Sequence, residues 1–107
     1  VHGKFVGTPK LDFDRLKTIR DLVEVPLVLH GGSGLSDEDF RKCIELGISK
    51  INFFTGLAMA ISKAAYEAMK ESEGNIMWPE ISPIAEQAGI DATKEQFRIF
   101  NTQPLNR

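Results

Sequence analysis

A short apolar run that ends in a histidine and a glycine-rich turn constrains the fold of this chain more than any other stretch. The run Pro26-Leu27-Val28-Leu29 is too short for a helix and lies between a proline and a glycine, which predicts a buried strand. His30 then stands at the carboxyl end of that strand, the edge where ligands and catalytic groups collect in parallel α/β sheets. The turn Gly31-Gly32-Ser33-Gly34 lets backbone N–H groups converge on an anion. A candidate metal ligand and a candidate phosphate site therefore lie side by side.

The order of the predicted elements indicates the fold class. Short apolar runs alternate with amphipathic helical patterns, which is typical of an α/β fold with a parallel sheet and helices on its outer side. Three strands are predicted, which end at Gly3, at His30 and at Phe54, the last of them over 49–54. Three helices are predicted, one after Asp12, one after Ser36 and one over 57–72. Residues 73–107 are predicted to form a helical and irregular tail, with a connector that ends at Pro79, a short helix over 83–87 that Gly89 stops, and an amphipathic stretch over 94–100.

Start and stop signals set the helix boundaries. Asp12 or Asp14 can accept the unpaired N–H groups at the start of the first helix. Ser36 with Asp39 three residues later forms a variant of the capping box, and Gly47 is placed just after the end of the second helix. The third helix is predicted to bury an apolar stripe, which consists of Leu57, Ala60, Ile61, Ala64, Ala65, Ala68 and Met69.

Charge and cysteine content exclude several classes of function. The formal net charge is −2 and the basic residues are spread along the chain, which argues against a nucleic-acid or membrane-surface partner. No apolar run approaches the roughly 20 residues of a membrane-spanning helix. The single Cys43 cannot form an internal disulfide, and this predicts a reducing, cytoplasmic location. On an apolar helix face, Cys43 is expected to be a core residue rather than a nucleophile.

The two histidines form the strongest candidate constellation. His2 and His30 are each followed by glycine and are predicted at the carboxyl ends of neighbouring strands, one βα repeat apart. Imidazole is the commonest transition-metal ligand, and catalytic zinc takes about three protein ligands, so two histidines require at least one more. A hydrogen-bonded structural role for each histidine is the alternative. Because the chain opens on Val1-His2-Gly3 as if at the end of a strand, we expect it to be a portion of a larger domain.

Three further positions are candidates for substrate binding. Ser33 adds a hydroxyl to the glycine turn, and the helix that Ser36 opens would bring N–H groups and the positive end of its dipole to the same edge. Asn52 is placed to contact a substrate hydroxyl and Thr55 to donate to a phosphate, with ordinary turn geometry as the alternative for both. The cations Lys4, Lys10 and Lys50 are expected to be solvated surface charges.

Three motifs together resemble one family. The three stretches are His2-Gly3-Lys4-Phe5-Val6-Gly7-Thr8-Pro9-Lys10-Leu11-Asp12-Phe13, Pro26-Leu27-Val28-Leu29-His30-Gly31-Gly32-Ser33-Gly34 and Lys50-Ile51-Asn52. In this order they resemble motifs of the class II, zinc-dependent fructose- and tagatose-bisphosphate aldolases. The resemblance covers roughly residues 1–60 and implies a TIM (β/α)8 barrel. Residues 1–107 would be a partial barrel from its C-terminal portion, with three βα units in 1–72 and the tail in 73–107.

The resemblance also implies a reaction and a set of site residues. The reaction is the reversible cleavage of a ketose phosphate to dihydroxyacetone phosphate and an aldehyde, with zinc polarising the ketone. His2 and His30 would be two of the zinc ligands, Gly3, Gly31, Gly32 and Ser33 would line the site of the substrate phosphate, and the backbone of Gly3 and Gly31 would lie near a monovalent cation such as Na⁺ or K⁺. Asn52 would contact the dihydroxyacetone phosphate moiety and Thr55 its phosphate.

Two departures from the family pattern bear on the substrate and on activity. Phe54 stands where the family has a small or acidic residue and Gly56 where it has an acid, so fructose 1,6-bisphosphate is not assigned. The family's catalytic Asp and a further zinc-ligating His belong to the first half of the barrel. We therefore expect the 107-residue chain alone to be inactive and to associate with an N-terminal half or with itself. A non-catalytic half-barrel that binds phosphorylated ligands or a partner chain is the alternative.

Overall fold

A computed structural model describes Gly7 and residues 9–104 of the chain. The elements in order are α1 (Phe13–Leu22), β1 (Leu27–Leu29), α2 (Asp37–Glu45), β2 (Ile48–Ile51), α3 (Thr55–Glu71) and α4 (Trp78–Ile99). The two strands pair in parallel and α2 connects them, so the predicted α/β class with a parallel sheet is confirmed within the described residues. The strand end predicted at Val1-His2-Gly3 lies outside them. None of the described helices is long and apolar enough to cross a membrane.

The chain divides into two compact units. The first contains the described residues up to Phe54 together with those from Phe97 onward, and the second contains Thr55–Gln96. The first unit has a small core of side chains from α2, β2 and the end of α4, namely Phe40, Cys43, Ile48 and Ile99. In the second unit the buried side chains are Ile81 and Ala85, both on α4.

The side chains predicted to cap the first two helices accept hydrogen bonds from backbone N–H groups at the helix starts. The backbone N–H of Arg15 donates to Asp12 Oδ1 at 2.9 Å, so Asp12 rather than Asp14 caps α1. At α2 the N–H of Asp39 donates to Ser36 Oγ at 3.1 Å, and the N–H of Ser36 donates to Asp39 Oδ2 at 3.4 Å. The capping box is therefore confirmed, and it fixes the point where the chain turns from the glycine stretch into α2.

The end of α2 depends on a glycine for two reasons. Gly47 has a φ of 105°, the left-handed conformation expected of the residue just after a helix. A Cβ atom at this position would also lie 2.7 Å from Arg20 Cγ of α1, closer than side chains pack. Gly47 therefore both ends α2 and makes room for α1.

The register between the strands contains a one-residue shift. Leu27 pairs with Ile48, Val28 pairs with Lys50 and Leu29 pairs with Ile51, so Ser49 is an extra residue on β2. Without the shift, Ile51 would lie opposite His30. Because a slip of one residue exchanges the two faces of a strand, the irregularity decides which side chain at the end of β2 lies beside the histidine. With the shift, that residue is Asn52.

The predicted third strand, 49–54, is wrong at both ends. The strand is Ile48–Ile51, and its last ladder contact is the N–H of Asn52, which donates to the carbonyl of Leu29 at 2.9 Å. The partner strand β1 ends at Leu29, so β2 has nothing further to pair with among the described residues. Phe54 consequently lies in the connection to α3, where it is 74% exposed.

The predicted stripe of α3 is only half-buried. The helix starts two residues earlier than expected, at Thr55, and none of its side chains is buried. Along the stripe, Met69 is 49% exposed. The 3–4 spacing of the apolar residues therefore marks the correct face of the helix but overestimates its burial.

The tail forms one long helix where two short helical stretches were predicted. Pro79 lies in the first turn of α4, where backbone N–H groups have no helical partner, and Pro83 removes only one hydrogen bond. The stop predicted at Gly89 is also wrong. A Cβ atom there would lie 3.2 Å from Ile61 Cδ1 of α3, so this glycine permits close helix packing instead of ending the helix.

Candidate functional site at the carboxyl end of the sheet

Two of the predicted site residues meet just beyond the ends of β1 and β2. The ladder bond from the N–H of Asn52 to Leu29 places residue 52 directly opposite His30. Neighbouring strands lie about 4.8 Å apart, and side chains in the same register point to the same face. Asn52 Nδ2 accordingly lies 3.1 Å from His30 Nδ1. The structure thus brings together a candidate metal ligand and a candidate substrate contact.

The contact between the two side chains is a hydrogen bond. It joins Asn52 Nδ2 to His30 Nδ1, and the tautomer of the imidazole decides the role of the ring nitrogen. The side chain of His30 is exposed and that of Asn52 is half-buried, so the amide is the better-anchored partner.

The glycine turn uses its glycines in different ways. Gly31 and Gly34 have φ angles of 67° and 95°, a conformation that side chains rarely adopt. Gly32 is buried, and a Cβ atom there would lie 2.6 Å from Phe40 Cε1. Gly31 and Gly34 therefore shape the turn, whereas Gly32 allows it to lie directly on the aromatic ring of α2.

Phe40 cannot readily move away from the turn. Its ring is 3% exposed and packs edge to face against Phe100, with ring centroids 5.1 Å apart. Beside it, Arg41 Nε donates to the carbonyl of Ile99 at 3.3 Å. The end of α4 and the residue after it therefore support the glycine turn through α2.

The anion site expected at the start of α2 stays a prediction, and two features of this helix end bear on it. The capping box already engages the N–H groups of Ser36 and Asp39. The first turn also carries three carboxylates, those of Asp37, Glu38 and Asp39, which offset the positive end of the helix dipole. The backbone of the glycine turn and a cation supplied by another segment would strengthen a phosphate site at this edge.

A cavity beside His30 contains such a cation. It has a volume of about 220 Å³ and is lined by Pro9, Lys10, Leu11, Leu29, His30, Gly31 and Leu35. Lys10 is exposed, as expected of a solvated surface charge, and it also lines the same cavity as the histidine. The available signal was its place in the loop that follows His2.

The other predicted site residues are not in the contact between His30 and Asn52. Ser33 is half-buried within the turn, and Thr55 is the first residue of α3, in the second unit. His2 and Gly3 lie outside the described residues. Among the residues that the structure describes, no group of three or more metal-binding side chains occurs. A metal centre at His30 would therefore need ligands from outside the described residues.

Cys43 belongs to the core and not to the site. Its side chain is 1% exposed in the packed face of α2. Burial, reinforced by the nearby carboxylate of Asp39, raises the pKa of the thiol above its ordinary value. The protonated thiol is a weak nucleophile, in line with the core role expected from the sequence.

The comparison with family models agrees with this arrangement. A model described as fructose-bisphosphate aldolase class-II matches residues 1–104. The chain belongs to the class II fructose-bisphosphate aldolase family. The resemblance seen in the three motifs is thereby confirmed, and the match extends through the α4 region, where the motifs had indicated little similarity.

A solved structure is similar to this family member. The X-ray crystal structure of the YdjI aldolase from Escherichia coli K12 superposes with a TM-score of 0.72 at 39% sequence identity. The match covers 86% of this chain and 34% of that chain. The chain thus spans about a third of the length of the aldolase that it matches.

Replacing Gly32 by alanine is expected to destabilise the protein. The added methyl group would collide with the locked ring of Phe40, and overpacking of this kind costs about 1–3 kcal/mol. Thermal unfolding should show a lower midpoint for Gly32→Ala. In the Phe40→Leu background, Gly32→Ala should lower the free energy of unfolding by less than it does in the native protein. If the two substitutions lowered the free energy of unfolding by strictly additive amounts, the proposed collision would be contradicted.

Proposed function

We propose that this chain is the C-terminal portion of the (β/α)8 barrel of a class II aldolase that cleaves a ketose phosphate reversibly to dihydroxyacetone phosphate and an aldehyde. The observation that carries the proposal is the contact between His30 and Asn52 at the carboxyl edge of a parallel βαβ unit. In barrel enzymes this edge holds the active site. Membership of the family and the likeness to a solved aldolase support the same reaction.

The described residues fit a zinc centre in part. His30 presents an exposed imidazole at the expected edge, and imidazole is the commonest transition-metal ligand. His2 is the second proposed ligand, and at least one further ligand and the catalytic Asp would come from the first half of the barrel. When bound, zinc supplies a Lewis acid that polarises the ketone. A Na⁺ or K⁺ ion near the backbone of Gly3 and Gly31 belongs to the same proposal.

The remaining residues of the site would bind and orient the substrate. Gly31, Gly32 and Ser33 offer backbone N–H groups and a hydroxyl to its phosphate, as Thr55 and Gly3 would from their own segments. Lys10 neutralises that charge from the wall of the cavity. Asn52 carries an amide suited to a hydroxyl of the dihydroxyacetone part.

The substrate class follows from the charge of the neighbouring positions. Phe54 lies two residues after Asn52 and is largely exposed, and Gly56 follows it in α3. Neither residue carries a charge that could recognise a second phosphate or a polar aldehyde. We therefore propose a ketose bisphosphate or ketose phosphate as the substrate and leave the aldehyde part open.

The assembly is also part of the proposal. A two-stranded sheet is marginal by itself, so the described unit is expected to complete its sheet with the N-terminal half of the barrel or by forming a homo-oligomer. We place the enzyme in the cytoplasm, on the basis of the single buried Cys43. Nucleic acid and membrane are not among the expected partners.

Replacing His30 by alanine in the full-length protein is expected to remove both bound zinc and aldolase activity, since no other described imidazole can take its place. Elemental analysis and a coupled assay for dihydroxyacetone phosphate measure the two losses. Lys63→Ala, an exposed change on α3, serves as the control that keeps both. Unchanged zinc content in His30→Ala would show that the ligand assignment is wrong.

The 107-residue chain produced alone is expected to show no retro-aldol turnover, because the proposed catalytic Asp and the third metal ligand lie in the other part of the barrel. The same coupled assay tests this expectation, with the full-length protein as the positive control. Turnover by the isolated chain would contradict the division of the site. A full-length protein that binds phosphate esters without turnover would favour the non-catalytic alternative.

Replacing Lys10 by alanine is expected to raise the KM for a phosphorylated ketose by about 10-fold or more, because a charge-assisted contact is worth about 1.5–3 kcal/mol. Zinc content should not change. Lys10→Arg keeps the charge and should recover most of the loss. A KM that is unchanged in Lys10→Ala would show that this side chain remains in solvent.

A further inference from the structure

We propose that a cavity between the second half of α2 and the end of α4 binds a small organic anion that also carries a hydrogen-bond donor. The cavity lies within the first unit and has a volume of about 380 Å³, a size typical of small-molecule sites. Its lining consists of Arg41, Ile44, Glu45, Arg98, Phe100 and Asn101. The cavity beside His30 has a different lining, so the inference does not depend on the proposed reaction.

The guanidinium of Arg41 is anchored in a way that leaves part of it for a ligand. Arg41 and Glu45 are four residues apart on α2, a spacing at which opposite charges often pair. Among the described residues, however, these two side chains form no ion pair, and Arg41 Nε donates instead to the carbonyl of Ile99 at 3.3 Å. A guanidinium held through Nε keeps its two Nη groups as a fork that matches a carboxylate or a phosphate.

Two further side chains add donors to the same wall. Arg98 Nη2 lies 3.9 Å from Asp37 Oδ2, so its charge is shared with that carboxylate. Asn101 Oδ1 accepts a hydrogen bond from Gln103 Nε2 at 3.0 Å, which leaves Asn101 Nδ2 as a donor. The anionic group of the ligand is therefore assigned to Arg41 and Asn101, with Arg98 as a supporting charge.

The rest of the lining restricts the rest of the ligand. The carboxylate of Glu45 only accepts hydrogen bonds, so it disfavours a bare anion and favours one that brings a hydroxyl or an ammonium group. Ile44 and Phe100 supply an apolar wall for the carbon skeleton. The ring of Phe100 is held against that of Phe40 with centroids 5.1 Å apart, which keeps this wall in place.

The first test measures the affinity and the donor requirement. Isothermal titration calorimetry of the full-length protein would compare glycerate, which carries hydroxyls, and β-alanine, which carries an ammonium group, with propionate, which carries neither. At least one of the first two is expected to bind about 10-fold more tightly than propionate, because only these two can donate to Glu45. The one that binds identifies the donor group. If neither bound more tightly than propionate, the proposal would be overturned.

The second test locates the bound probe. Arg41→Ala is expected to weaken binding by about 10-fold or more, because a charge-assisted contact is lost. Arg15→Ala removes an exposed arginine of α1 that lies outside the cavity lining and should leave the affinity unchanged. Lys10→Ala, in the cavity beside His30, should also leave it unchanged. Loss of binding in Lys10→Ala would place the probe in that other cavity and overturn the proposal.

A second variant decides the matter if Arg41→Ala fails to fold without its bond to Ile99. Asn101 has a φ of 52°, which glycine adopts readily, so Asn101→Gly removes the amide and keeps the backbone. Its affinity for the probe is expected to fall as well. An unchanged affinity in either variant would show that the anion does not bind here.

The role of Glu45 has a test of its own. Glu45→Gln replaces the carboxylate with an uncharged group of the same size, which no longer repels a bare anion. The variant is expected to bind propionate more tightly and to lose most of the preference for the donor-bearing probe. A preference equal to that of the native protein would overturn the proposal.

Discussion

The parallel register of β1 and β2 is the constraint on which the site depends. Each strand is only a few residues long, yet the pairing decides which two side chains stand together at the carboxyl edge. The shift at Ser49 brings an amide next to His30 where regular pairing would bring the apolar Ile51. A single irregularity in the backbone therefore decides whether an amide or an apolar side chain lies beside the histidine.

The glycine turn shows how packing and chemistry share the same residues. Its left-handed positions shape the turn, while Gly32 lets the turn lie on Phe40. The three carboxylates at the start of α2 offset the positive end of the helix dipole. Lys10, on a segment that precedes the sheet, lines the cavity beside His30.

Local signals in the sequence were sufficient for the features that depend on near neighbours. The strand before His30 and the capping box of Ser36 and Asp39 depend on contacts within a few residues. Features that depend on distant neighbours were not predictable in this way. The shortened β2 follows from the length of its partner, and the continuous helix through Gly89 follows from packing against Ile61. The register shift and the place of Lys10 likewise require the folded arrangement.

The support of the turn by the end of α4 has a consequence for the order of folding. Arg41 and the carbonyl that it contacts are 58 residues apart, and the rings of Phe40 and Phe100 join the same two segments. Contacts of such long range form late, because the intervening chain must first be brought together. During synthesis, the strand with His30 leaves the ribosome well before the residues that support its turn. The glycine turn therefore acquires its full support only after Ile99 and Phe100 have been made and have packed against α2.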